Sequence, residues 1–231
     1  MHGLVLAGGD GSRLLASGIS DPKAFVTVAG EPQLRRMVAA CRRVGCATVT
    51  CAVRADLAAE AVHLLDDPTV QVISVRTPSS LHTLQAGLEA VADGPVVCTL
   101  VDTVMPDADW DRAHAQGARA LQSAAAAVVV TPYVADDVPL WVDADAAGRV
   151  LAFGRRGTRD LVTGGVYWLG AEARAESARA TADGVMRLRG YLARLVSSGA
   201  RVMVVEVPKI VDIDTAADLE DALLLVHGEH A

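Results

Sequence analysis

The chain opens on Leu4-Val5-Leu6-Ala7-Gly8-Gly9-Asp10-Gly11-Ser12-Arg13-Leu14, with Asp21-Pro22-Lys23 just beyond. A strand is predicted over 2–7, and it empties into three glycines within four residues. Glycine lets a backbone turn tightly and leaves its N–H groups open to a ligand. Such a loop suits a phosphate chain, and Arg13 and Lys23 add the positive charge that polyphosphate needs. Two other phosphate loops do not fit. A P-loop ends in Gly-Lys-Ser/Thr, where this chain has Gly11-Ser12-Arg13. A dinucleotide fingerprint needs a third glycine where Leu14 stands.

These residues resemble the signature of the nucleotidyltransferases of GT-A-like fold, a superfamily that takes in sugar-1-phosphate, alditol- and alcohol-phosphate, and molybdenum-cofactor (MobA-like) NTP transferases. The family pattern runs Leu-Ala-Gly-Gly-x-Gly-x-Arg-Leu, then Pro-Lys, then an apolar strand and Gly-x-Pro-Leu. Residues 22–34 follow it with one residue inserted, Gln33. The resemblance implies that Leu6, Ala7, Gly8, Gly9, Gly11 and Ser12 contact the nucleotide. It also implies that Arg13 holds the triphosphate and that Lys23 neutralises charge at the α-phosphate.

With 231 residues the chain is long enough for one large domain over 1–231. It is 52% hydrophobic but only 3% aromatic, so its core must be built from Ala, Val and Leu. No apolar run reaches the ~18 residues of a membrane span. No charged-then-apolar leader precedes the first strand, so a cytoplasmic protein without a membrane partner is expected. The net charge of −7 argues against a nucleic-acid partner. Only two of the 21 basic residues are lysines, Lys23 and Lys209, which points to chemistry at both. Cys41, Cys46, Cys51 and Cys98 form no zinc pattern and read as buried free thiols.

Helices are predicted over 31–44, 57–65, 81–91, 107–121, 184–198 and 216–226, and strands over 47–53, 70–75, 96–101, 124–131, 162–169 and 201–207. A hairpin is predicted over 140–153, turning at 145–148. Arg35, Arg36, Arg42 and Arg43 read as a solvated helix face. The alternation of strand and helix gives an α/β fold with a three-layer, Rossmann-like, mostly parallel sheet, whose ligands bind at the carboxyl ends of the strands. Asp107, Asp109 and Asp111 alternate like calcium ligands, but Arg112 stands where an EF-hand needs glycine, so they read as the charged start of a helix.

Three further stretches bear on chemistry. Ser79, Ser80, His82 and Thr83 precede or open a helix at a strand end, where the family holds its nucleoside; helix capping by Ser80 is the competing reading. Asp102 follows the predicted fourth strand, and a carboxylate buried there is costly unless a ligand uses it. The family carries a magnesium ligand at that place. Near the end, Asp212-Ile213-Asp214-Thr215, with Asp218-Leu219, resembles the family's closing motif. Asp212 is the expected second ligand for Mg2+ (or Mn2+), with Asp214 in reserve. Thr215 and Asp218 are read as helix caps only.

Family members place an antiparallel insert over the second substrate, expected here at about 138–182, between a nucleotide part at 1–132 and the closing segment at 201–228. Gly164 and Gly165 resemble the family glycines that let a sugar approach the backbone. The family's Glu-Lys is absent; Gly154-Arg155-Arg156 stands there, and Arg155 is a candidate for a substrate phosphate, as is Lys209. No acyltransferase or β-helix domain is expected after the closing helix. The implied reaction joins the NMP of an NTP to a phosphorylated small molecule and releases pyrophosphate. A sugar phosphate is the first reading of that acceptor, and a guanylyl- or cytidylyltransferase acting on an alcohol or alditol phosphate, a phosphonate or the molybdenum cofactor is the alternative. A glycosyltransferase of related fold would carry Asp-x-Asp where Asp102-Thr103-Val104 stands. A non-catalytic nucleotide-binding regulator would not need both acidic sites.

Overall fold

In the computed structural model residues 1–135 and 138–228 are described. The chain begins with β1 (His2–Ala7) and the short helix α1 (Ser12–Ala16), then a ribbon of β2 (Thr27–Val28) and β3 (Glu31–Pro32). Next come α2 (Gln33–Arg43), β4 (Thr48–Arg54), α3 (Ala58–Leu65), β5 (Val70–Val75) and α4 (Ser80–Ala90). The middle comprises β6 (Val96–Leu100), β7 (Thr103–Val104), α5 (Asp107–Ala120) and β8 (Ala126–Thr131). There follow β9 (Val142–Ala144), β10 (Val150–Phe153), β11 (Val162–Leu169), α6 (Ala171–Ala182) and α7 (Leu188–Ser197). The chain closes with β12 (Val202–Glu206), β13 (Val211–Asp212) and α8 (Ala216–His227).

Seven strands form the main sheet in the order β12-β8-β11-β6-β1-β4-β5. Its pairs are parallel except where β11 meets β6 and β8. Successive side chains of a strand face opposite sides, so continuous Val, Ala and Cys runs serve two cores at once. Leu4, Cys98 and Val128 pack with Leu84, Leu88 and Tyr191 of α4 and α7, and Ala173 of α6 joins them. Val5, Cys51, Val97 and Trp168 pack on the other face with Met37 and Cys41 of α2 and Trp110 of α5. The four cysteines are free and buried, as the sequence implies.

The β9–β10 hairpin is the predicted one, with Asp145 Oδ1 accepting from the N–H groups of Ala147 and Arg149 at 2.9 Å across its turn. It forms a separate antiparallel sheet, with β10 against α7. The other strand of the expected insert, β11, instead lies in the middle of the main sheet. Two helices also differ from expectation. α6 was not foreseen, because its buried face is Ala173, Glu176, Ser177 and Ala180, which leaves no apolar stripe. α7 starts at Leu188 rather than 184, after an extended Arg187. The α2 arginines do more than face solvent: Arg35 donates to Leu64 O at 2.9 and 2.7 Å, and Arg42 pairs with Asp67 at 3.2 Å, so both brace α3 and the loop after it.

Candidate active site

The glycine loop leaves β1 at the carboxyl end of the sheet. Gly11 takes a left-handed conformation, φ 67°, which only glycine adopts without strain, and turns the chain into α1. Arg54, at the end of β4, donates to the carbonyls of Gly9 (3.4 Å) and Asp10 (3.2 Å) while pairing with Asp56 at 2.7 Å. Its guanidinium therefore braces the loop from the carbonyl side. The Ser12 N–H donates to Asp10 Oδ1 at 3.2 Å, and this bond holds the Asp10 carboxyl below its ordinary range.

Asp102 lies just past β6. Gln33 is wholly buried, and its Nε2 donates at 3.4 Å to the carbonyls of Val101 and Thr103, one on each side of Asp102. The ribbon of β7 with β13 then sets Asp212 opposite Thr103, and Ile213 N–H donates to Asp102 O at 2.9 Å. Two segments more than a hundred residues apart in sequence thus deliver Asp102, Asp212 and Asp214 to one place. Lys23 Nζ donates to Asp102 Oδ2 at 2.7 Å and also pairs with Asp214, and Arg13 pairs with Asp214 at 2.5 Å. Burial opposes the charge on Lys23, but the two carboxylates outweigh it and hold the ammonium above its ordinary pKa. Among the described residues no cation pairs with Asp212. Burial first, then the charges of Asp102 and Asp214, push its carboxyl up to about 8, against the smaller opposing effects of Lys23 and the 3.3 Å bond from Thr103 Oγ1.

The carboxylates are grouped around Lys23, and among the described residues no set of three His, Cys, Asp or Glu side chains is already arranged to hold a metal. The donor chemistry nevertheless suits a divalent cation. Asp102 Oδ1 is buried without a hydrogen-bond partner, and oxygen donors are what Mg2+ selects.

Two clefts, of about 690 and 570 Å3, open on either side of this cluster. Arg13, Ser80, Leu100, Asp102, Arg187 and Asp214 line both. Of the residues expected to contact nucleotide, all but His82 lie in the wall of the first: Leu6, Ala7, Gly8, Gly9, Gly11, Ser12, Ser79, Ser80 and Thr83, together with Arg13 and Lys23. Asp212 and Gly165 line the second. Gly164, Arg155 and Lys209 line neither: Arg155 pairs with Asp143, and Lys209 stacks 4.1 Å above the Tyr133 ring. His82 is also outside both linings, its Nδ1 bonded to Ser79 Oγ at 2.8 Å. Ser80 does not cap its helix; its Oγ accepts from Leu188 N–H at 3.0 Å, tying the start of α4 to the start of α7. Thr215 and Asp218 form the expected capping box.

Arg187 escaped the sequence reading. Its guanidinium makes no ion pair with the described residues, and only the pairing of α7 with α4 puts it above the junction of the clefts. Gln33 did leave a signal, as the one residue that interrupts the Gly-x-Pro-Leu motif.

A doubly covered, mostly parallel sheet thus sets a glycine loop, a lysine and strand-end carboxylates between two clefts. The family model for the MobA-like NTP transferase domain matches residues 3–173, and the chain belongs to that family of nucleotidyltransferases. Solved structures of the same fold include an inositol-1-phosphate CTP transferase from T. maritima (16% identity, TM-score 0.79, 96% of each chain). A nucleoside-diphosphate-sugar pyrophosphorylase from Vibrio cholerae is also similar (16%, 0.69, 96% of this chain and 99% of that one). So is HddC from Yersinia pseudotuberculosis (16%, 0.75, 96% and 97%). A search of curated proteins returns no match. Among the described residues no helix is long and apolar enough to cross a membrane.

Proposed function

We propose that the first cleft binds an NTP, that the second binds a phosphorylated small molecule, and that the two react above Asp102. The single observation behind this reading is that both clefts share Arg13, Asp102, Arg187 and Asp214. An oxygen of the acceptor phosphate attacks the α-phosphorus, the bond to the β-phosphate breaks, and pyrophosphate leaves. Since phosphate itself is the nucleophile, the protein supplies position and charge.

The loop amides of 8–12 and Arg13 hold the triphosphate. Lys23 neutralises charge growing at the α-phosphate, and Arg187 faces the phosphates from the opposite wall. Asp102 and Asp212 would hold a divalent cation, Mg2+ or Mn2+, while Asp214 pairs with Arg13 and Lys23. That cation would neutralise phosphate charge and orient the two substrates. In the protein alone Lys23 serves as the countercharge of Asp102 and Asp214. The β9–β10 hairpin with α7 closes the acceptor side, and a supply of NTP places the work in the cytoplasm.

A pyrophosphate-release screen of four NTPs against phosphorylated sugars, alditols and alcohols tests the proposal. One NTP with one acceptor class should release pyrophosphate in step with a nucleoside diphosphate product. Release without an acceptor-linked product would make the chain a pyrophosphohydrolase and overturn the reading.

A further inference from the structure

The start of α2 joins two parts of the site that lie far apart in sequence. No side chain caps this helix, yet its first two N–H groups are engaged. Gln33 N–H donates to Val26 O and Leu34 N–H to Ala24 O, both at 2.9 Å. Those carbonyls belong to the turn that carries Lys23, which closes through Phe25 N–H to Pro22 O at 2.8 Å. The side chain of the same Gln33 reaches the other way, to the peptide groups on either side of Asp102. One residue therefore links the segment of Lys23 to the segment of Asp102, and the two side chains meet at 2.7 Å.

An amide is an unexpected choice for this place. Gln33 is 0% exposed, and the other buried residues of its helix are Leu34, Met37, Val38, Ala40 and Cys41. A carbonyl can only accept, so the amide must turn Nε2 towards Val101 O and Thr103 O, and both its hydrogens are used there. Oε1 is left buried with no partner among the described residues. Methionine or leucine would fill the same space without burying an unpaired oxygen, so packing alone does not account for glutamine. What the amide adds is a tie on both sides of Asp102. Holding the two flanking peptide groups fixes the backbone between them, and with it the direction in which the carboxylate leaves the chain. Such aim matters in transfer chemistry, where a misplacement of about 1 Å can cost on the order of 100-fold in rate.

We propose that Gln33 is a positioning residue of nucleotidyl transfer. It lines neither cleft and touches no substrate; its amide sets the Asp102 carboxylate against Lys23 and the reacting phosphates. The proposal rests on the reading of Asp102 as the carboxylate above which the two substrates react.

The test compares the full chain with Gln33→Met, which keeps the volume and loses both donated bonds. Thr99→Val is the control, since it removes another buried polar group from β6, three residues before Asp102. Mn2+ is titrated by electron paramagnetic resonance into each protein with each of the four α,β-methylene NTP analogues, and kcat is measured with the natural NTPs. Gln33→Met should weaken Mn2+ binding and lower kcat by at least ~10-fold each, while analogue binding in EDTA stays within ~3-fold of the parent. Thr99→Val should leave all three within ~3-fold. Parental Mn2+ affinity and kcat in Gln33→Met overturn the proposal. Equal losses in Thr99→Val also overturn it, because any loosening of β6 would then suffice. Where Gln33→Met does not melt cooperatively, Gln33→Leu takes its place, and failure of both to fold would make Gln33 a folding residue and overturn the proposal. Asp102→Asn separates the two levels of inference. Transfer that survives Asp102→Asn sinks the reading of Asp102, whereas transfer lost there but parental in Gln33→Met sinks only the role of Gln33.

Discussion

Replacing Asp212 by Asn should stabilise the metal-free protein while destroying its activity. In the folded chain burial and the neighbouring charges of Asp102 and Asp214 push the Asp212 carboxyl from 3.8 up to about 8. The sign follows from linkage. As the pH rises from about 4 through about 8, the unfolded chain loses this proton while the folded one keeps it, so stability falls across that window. A rise from 3.8 to about 8, at about 1.4 kcal/mol per pH unit, sets a ceiling near 6 kcal/mol, and entry of water and relaxation of Lys23 reduce it. An amide has no charge to bury, and its oxygen still accepts the bond that Thr103 Oγ1 makes to Asp212. Asp212→Asn should therefore gain about 2–4 kcal/mol at pH 8.5, or roughly 5–10 °C in Tm for a chain of this size, and little at pH 5. Thermal melts of parent and variant in EDTA at both pH values measure this. Mg2+ should then raise the Tm of the parent and leave that of the variant almost unmoved. A variant that melts below the parent at pH 8.5 in EDTA would refute the reasoning.

Other expectations concern neighbouring residues. Lys23→Ala should lower kcat more than it raises KM for the NTP, because the lysine acts on charge that develops in the transition state; an unchanged kcat with a raised KM would make it a binding residue alone. Asp214→Ala should keep a measurable part of the metal-dependent turnover that Asp212→Ala loses, and the reverse order would put the second ligand two residues later. Glu176 is buried between Arg179 (2.7 Å) and Arg194 (2.5 Å), with Arg194 first in holding its carboxyl below the ordinary range. Glu176→Gln should cost about 1–3 kcal/mol in chemical denaturation at pH 7. That contribution is fully present above the unfolded value of 4.5 and fades as the pH falls through the lower folded value, so parent and variant should converge in acid.

Much of this arrangement can be read from the chain because its parts are local. A strand, three glycines, Arg13 and Lys23 all lie within the first 23 residues, and Asp102 sits where a strand ends. The closing motif likewise carries its own cap, Thr215 with Asp218. What sequence hides is long-range. β11 has the apolar pattern of any buried strand, so nothing local says that it runs antiparallel between β6 and β8. Arg187 belongs to no motif and gains its place only because Ser80 holds the start of α7. Gly164 and Gly165 owe their small size at least partly to Ile210 and Thr103, which an added Cβ would strike at 2.4 Å, and that packing is invisible in the sequence. The helix α6 buries a glutamate and a serine, and its reason for folding lies in Arg194 on the next helix.

The central claim is that the carboxylate at the end of β6 is where the two clefts do their chemistry, and Asp102→Asn tests it most directly. Single-turnover transfer and NTP binding should be measured on the same variant, with a cooperative melt near that of the parent as the control for folding. The account predicts NTP binding within a few-fold of the parent and nearly complete loss of transfer. Transfer at close to the parental rate in Mg2+ would contradict it.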